Sequence, residues 1–157
     1  MSDLQMTGQI LTDADGEHYH EFPVQVYWED TDAGGIVYYA NYLKFTERAR
    51  TDLLRGLGVH QQKLMVEDGL NFVVRDCSLE YLKPARLDDI LIVKTSIHDL
   101  KAATLRMQQN IYCDELLLVK SIVRVACLQK NGRPARFSPQ IKDKFTSIVY
   151  ASGDMKD

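Results

Sequence analysis

The chain has no cationic surplus, no membrane-sized apolar run, and too few cysteines and histidines for a disulfide framework or a recognisable metal site. Each absence removes a class of function. Nineteen Lys and Arg against 22 Asp and Glu leave a formal charge of −3, which argues against a dedicated nucleic-acid surface. The longest apolar runs, Ile90–Val93 and Leu116–Val119, are strand-sized, so no transmembrane segment is expected. Met1–Gln5 offers neither a basic start nor an apolar core, so no secretory leader is expected and the location reads as cytoplasmic. Cys77, Cys113 and Cys127 are odd in number, widely spaced and each inside a strand-like pattern, which suits buried reduced thiols. His18 and His20 form an i, i+2 pair with no carboxylate or cysteine spaced to complete a site, so no metal is expected. At 157 residues the chain is most simply one domain with its own core.

The most informative stretch runs from Val26 to Tyr42, where a strand pattern meets a helix pattern through the acidic turn Glu29-Asp30-Thr31-Asp32-Ala33-Gly34-Gly35. Val24, Val26 and Trp28 point one way and Gln25, Tyr27 and Glu29 the other, the alternation of a half-buried strand. Beyond the glycines, Tyr42, Phe45, Ala49 and Leu53 share one helical stripe while Lys44, Arg48, Asp52 and Arg55 lie opposite. A helix is therefore expected from about Val37 to Leu57, beginning just after Gly34-Gly35. Glycines there free the backbone for unusual dihedrals, and the first helical N–H groups lack intrahelical acceptors, so an oxyanion could be received. A carboxylate beside such a helix start suits acyl transfer. The plainer reading is that the aspartates cap a helix and the glycines make a turn, and spacing alone favours it.

Further along, Val59–Asp68 reads as a short helix closed by Gly69, and four strand patterns follow at Leu70–Leu82, Asp88–Asp99, Ala103–Tyr112 and Leu116–Leu128. Three long strands joined by short links favour an antiparallel meander. Asn131-Gly132-Arg133-Pro134 ends the sheet, and Phe137–Val149 reads as a final helix with Ser138-Pro139 at its start. The fold class is α+β.

The run Trp28-Glu29-Asp30-Thr31-Asp32-Ala33-Gly34-Gly35-Ile36-Val37-Tyr38-Tyr39-Ala40-Asn41-Tyr42, followed by Phe45–Arg50, resembles the signature of hot-dog-fold acyl-CoA thioesterases of the 4-hydroxybenzoyl-CoA thioesterase family. It is most similar to the Tol-Pal-associated acyl-CoA thioesterase subgroup. A second matching block is Tyr81–Asp89, and the similarity runs from about Phe22 to Pro139. The resemblance implies an antiparallel sheet of about five strands curled around one long central helix. It implies a single domain over 22–150, with an N-terminal extension 1–21 and a C-terminal tail 151–157. It also implies edge-to-edge homodimers, pairing further as a dimer of dimers, with active sites at the dimer interface.

On the same basis, Asp32 is the catalytic carboxylate, as nucleophile or as general base, and the backbone N–H of Tyr39 is the oxyanion donor beside Gly34 and Gly35. Asp30 is the structural carboxylate. The subgroup carries histidine where this chain has Tyr39, a phenol that is a poor base at neutral pH. Glu47 reads as an exposed surface carboxylate. The substrate is an acyl-CoA, with no cofactor, and its phosphates need cations: Lys83 and Arg86 in the second block, Lys130 and Arg133 after the last strand. A hydratase of the same fold would need a histidine-bearing active segment, and none of the four histidines lies in the motif. The alternative is a binding module that docks acyl carrier protein or cell-envelope machinery, with weak hydrolysis.

Overall fold

The computed structural model describes residues 7–151. Strands β1 (Gln9–Thr12) and β2 (His18–Gln25) are followed by α1 (Asn41–Gly56), α2 (Gln61–Asp68), β3 (Leu70–Tyr81), β4 (Ile90–His98), β5 (Thr104–Cys113), β6 (Leu116–Gln129) and α3 (Pro139–Thr146). The strands form one sheet in the order β1-β2-β4-β5-β6-β3, every neighbouring pair antiparallel. This is the α+β hot-dog arrangement, with a sixth strand beyond the expected five. The extra strand is β1, which pairs Gln9–Thr12 with His18–Glu21 through the turn at Asp13–Gly16. Both the strand and the start of β2 therefore lie within the segment 1–21. Residues 1–6 and 152–157, parts of the expected extension and tail, lie outside the described residues.

The long helix sits where its stripe requires. Tyr42, Phe45, Ala49 and Leu53 are all buried against the concave face of the sheet, and each large side chain removed from water contributes about 1.5–3 kcal/mol. One strand stands outside the meander. β4, β5 and β6 are consecutive neighbours, but β3 pairs with β6 on the outer edge and not with β4. The link from Leu82 to Asp89 makes this possible by passing under the helix start, where buried Ala85 donates its N–H to the Tyr42 hydroxyl (3.0 Å) and accepts from Val37 N–H (2.9 Å). Leaving β3 at an edge also exposes Cys77, contrary to the expected burial, whereas Cys127 is buried. Among the described residues, no helix is long and apolar enough to cross a membrane.

His18 and His20 have separate partners: His18 Nδ1 lies 3.0 Å from Thr12 Oγ1, and His20 Nε2 lies 2.7 Å from Asp52 on α1. His98 Nε2 meets Ser96 Oγ at 2.8 Å under the Tyr150 ring. Burial pushes both His20 and His98 below the ordinary imidazole value of 6.5, although Asp52 opposes it for His20 and Asp99 for His98. The unfolded chain then takes up protons that the folded chain refuses. Their contribution is fully present above pH 6.5 and is lost as pH falls from there toward the folded-state values. Urea midpoints should fall between pH 7.5 and 5.5, and a His20→Gln, His98→Gln double variant should flatten that dependence.

Candidate active site

The site is assembled by a knot of backbone hydrogen bonds around two aspartates. Buried Asp30 accepts the Tyr27 N–H on its carboxylate (2.8 Å), and its carbonyl accepts the Tyr38 N–H (2.9 Å) and the Asn41 amide (2.9 Å). It thus orients the turn from both ends. Its grip on Tyr27 curls Trp28–Asp30 into one 3-10 turn, so the strand stops at Gln25. Trp28 does not share the inward direction of Val24 and Val26; it is 79% exposed.

Asp32 closes a smaller loop. Its N–H donates to the Ile36 carbonyl (2.9 Å), its carbonyl accepts from Gly35 (3.0 Å), and its Oδ1 accepts from Gly34 (2.8 Å). Gly35 has φ +80°, which disfavours any side chain. A Cβ on Gly34 would stand 3.1 Å from Asp32 Oδ1, a tight contact against the carboxylate. Asp32 Oδ2 has no hydrogen bond among the described residues, and the side chain is exposed.

The helix does not begin at the glycines. Thr31 and Val37 bridge antiparallel, as do Ile36 and Arg86, which holds the chain extended there; α1 starts only at Asn41, with Ala40 at its N-cap. Tyr38 and Tyr39 precede the first turn instead of forming it. Neither the Tyr39 nor the Ala40 N–H finds an acceptor among the described residues. The Tyr39 carbonyl accepts from the Tyr81 hydroxyl (3.0 Å), which ties the segment to the end of β3. Hydrogen bonding to Tyr39 pushes the Tyr38 phenol above its ordinary value, so it is no base near neutral pH.

The expected phosphate cations fall into two groups. Lys83 and Arg86 lie beside the Asp32 turn through the Ile36–Arg86 bridge. Lys130 and Arg133 follow β6, whose Gln129 is paired with Leu70, at the opposite end of β3. Over twelve residues of strand the separation is roughly 35 Å. One protomer does not bring the four together.

Sequence reasoning passed over a polar network inside the core. Gln109 is fully buried; its Oε1 accepts from Arg50 (2.8 Å), and its Nε2 donates to the Thr46 carbonyl (3.0 Å) and Thr95 Oγ1 (3.0 Å). Arg50 also pairs with Glu47, whose side chain is 60% exposed, as expected of a surface carboxylate. The signal was available: Gln109 occupies an inward position in the alternation Leu105, Met107, Gln109, Ile111. Among the described residues no group of three His, Cys, Asp or Glu gathers as a metal site.

A family model described as the thioesterase-like superfamily matches residues 26–145. The acyl-CoA thioesterase YbgC of Haemophilus influenzae is 46% identical over 125 residues, covering 79% of this chain and 92% of that one. The acyl-CoA thioester hydrolase YbgC of Escherichia coli O6:H1 is 44% identical over 129 residues, covering 82% and 91%. A crystal structure of a probable thioesterase from Bartonella henselae superposes with a TM-score of 0.74 at 38% identity, covering 76% of this chain and 99% of that chain. The chain belongs to the thioesterase-like superfamily of hot-dog thioester hydrolases.

Proposed function

We propose that the protein hydrolyses an acyl-CoA thioester to the free acid and coenzyme A, with Asp32 as the reacting carboxylate. The observation that carries this is that the one exposed segment between β2 and α1 holds both a carboxylate with a spare oxygen and a helix entrance whose Tyr39 and Ala40 N–H groups have no acceptor among the described residues. The thioester oxygen would sit on those N–H groups, which stabilise the negative charge that develops as the carbonyl is attacked. Asp32 then either adds to the carbonyl carbon, expelling thiolate and leaving a mixed anhydride for water to cleave, or takes a proton from the water that attacks directly. Either route consumes one water and releases one acid and one thiol.

The free edge of β3 supports a homodimer. Its backbone N–H and C=O groups are a template for another strand, and the identical strand of a second copy is the self-complementary partner. Two β3 strands paired antiparallel about a two-fold axis near mid-strand lay the partner's Leu70 end beside this protomer's Tyr81 end. The partner's Lys130 and Arg133 then approach Lys83 and Arg86, two strand spacings or about 10 Å away. In this reading the phosphate site is split between protomers and completed by pairing.

Thiol release from a panel of acyl-CoAs tests the activity: the expected result is equimolar acid and coenzyme A, and no release from any member would overturn it. The split site makes a second prediction. A Lys130→Ala, Arg133→Ala double variant should raise KM for acyl-CoA about tenfold, about 1.4 kcal/mol, with kcat little changed. Acyl-pantetheine, which lacks the nucleotide phosphates, should be hydrolysed equally by both proteins.

A further inference from the structure

The two open N–H groups at the helix entrance belong to successive peptide units, and in each unit the carbonyl is already occupied. The Tyr38 carbonyl, in the peptide that carries the Tyr39 N–H, accepts from the Asn41 N–H at 2.8 Å. The Tyr39 carbonyl, in the peptide that carries the Ala40 N–H, accepts from the Tyr81 hydroxyl at 3.0 Å. The first contact is local to the turn, whereas the second comes from β3. The Leu43 N–H, four residues on, turns back to the Ala40 carbonyl (3.2 Å) instead, so the Tyr39 peptide stands ahead of the helical ladder.

Tyr81 is a firm support. Its backbone closes β3 opposite Val119, and just beyond it the Leu82 and Lys83 N–H groups both donate to the Leu118 carbonyl (2.8 and 3.1 Å). Its ring lies tilted against Tyr42, with centroids 5.7 Å apart, and edge-on to Tyr39 at 6.3 Å. Partial burial raises the phenol above its ordinary value, so the hydroxyl keeps its proton and donates throughout the neutral range.

We propose that Tyr81 is a positioning residue for the oxyanion site: its hydroxyl, by holding the Tyr39 carbonyl, sets the direction and the donor strength of the Ala40 N–H. The inference rests on the thioesterase reading of the Asp32 turn. A trans peptide unit is planar, with C=O and N–H pointing in opposite directions. Pinning the carbonyl toward the end of β3 therefore fixes where the N–H points. Accepting a hydrogen bond also polarises the unit, which strengthens its N–H as a donor. A donor preset in this way needs no reorganisation as charge develops on the thioester oxygen, and that is what makes it effective in the transition state. Without the hydroxyl the Tyr39–Ala40 peptide is free to rotate, and the ground-state contacts of the substrate are left as they were.

The test is Tyr81→Phe, which keeps both ring contacts and deletes only the hydroxyl, confirmed folded by circular dichroism. It is measured with acyl-CoA substrates and with two coenzyme A analogues that do not turn over. One carries a trifluoromethyl ketone, whose tetrahedral hydrate mimics the charged transition state; the other is an S-alkyl thioether, which has no carbonyl. In the variant kcat should fall about tenfold, against the roughly hundredfold or more that loss of a whole oxyanion donor costs, with KM little changed. The ketone should bind about tenfold more weakly, in step with kcat, and the thioether as tightly as to the wild type. Wild-type kcat in Tyr81→Phe, a ketone bound as tightly as before, or a thioether weakened as much as the ketone overturns the positioning role and leaves the thioesterase reading standing. No thiol release by the wild type from any acyl-CoA overturns both.

Discussion

Asp32→Asn is expected to fold as the wild type does and to lose about a thousandfold in kcat/KM, of order 4 kcal/mol of transition-state stabilisation. The substitution keeps an oxygen at Oδ1, so the 2.8 Å hydrogen bond from Gly34 survives and the turn keeps its shape. What disappears is the anion. An amide can neither add to a thioester carbonyl nor take a proton from water, whichever of the two routes operates. Because the carboxylate is exposed, its removal strands no buried partner, and the melting temperature should move little. Asp30→Ala is the contrast: Asp30 is buried and accepts the Tyr27 N–H on its carboxylate, and alanine removes that acceptor, so the loss should appear in stability as well as activity. Thiol release and thermal melting measured on both variants separate a reacting group from a turn-former. Activity retained by Asp32→Asn, or lost only in step with melting, would sink the assignment.

Gln109→Leu carries the largest expected effect on stability, about 3 kcal/mol. The leucine is apolar and near the right size, yet it deletes the acceptor 2.8 Å from a buried arginine and the donor to both the Thr46 carbonyl and the Thr95 hydroxyl. Hydrogen bonds to charged groups contribute about 1.5–3 kcal/mol, and a buried charge left short of partners costs more than its bond was contributing. Adding Arg50→Met should recover most of the loss, since replacing a whole buried polar network with apolar groups is often near neutral. Urea unfolding of the single and double variants reads this directly. A Gln109→Leu midpoint equal to the wild type's would mean that the network contributes nothing net.

Much of the frame was legible because its periods are clean. The stripe Tyr42, Phe45, Ala49, Leu53 and the alternation through Leu105, Met107 and Ile111 each place a buried row where the structure has one. The errors cluster where short-range hydrogen bonds override periodicity. Trp28 fits a strand pattern, but the capture of the Tyr27 N–H by Asp30 turns the chain first. Tyr38 and Tyr39 fit a helix pattern, but the Thr31–Val37 and Ile36–Arg86 bridges hold Ile36 and Val37 extended, and the helix starts only at Asn41. β1 was missed because Gln9–Thr12 is only four residues long, with Ile10 and Leu11 adjacent and no alternation to read, and its pairing follows the turn before β2. The edge position of β3 is a fact of topology that no local pattern carries. At the site, the motif pointed to Asp32 and to the Gly34-Gly35 turn, while the distance between the two pairs of cations emerges only from the register of β3 on β6.

That distance underlies the proposed shared site, in which Asp32 would come from one protomer and the phosphate-binding Lys130 and Arg133 from the other. The most direct test is complementation between two crippled chains, Asp32→Asn and a Lys130→Glu, Arg133→Glu charge reversal, each nearly inactive alone. After unfolding and refolding together, half of the dimers should be mixed and half of the sites in those should be intact, which restores about a quarter of wild-type activity. A mixture no more active than the sum of its two components would contradict the shared site.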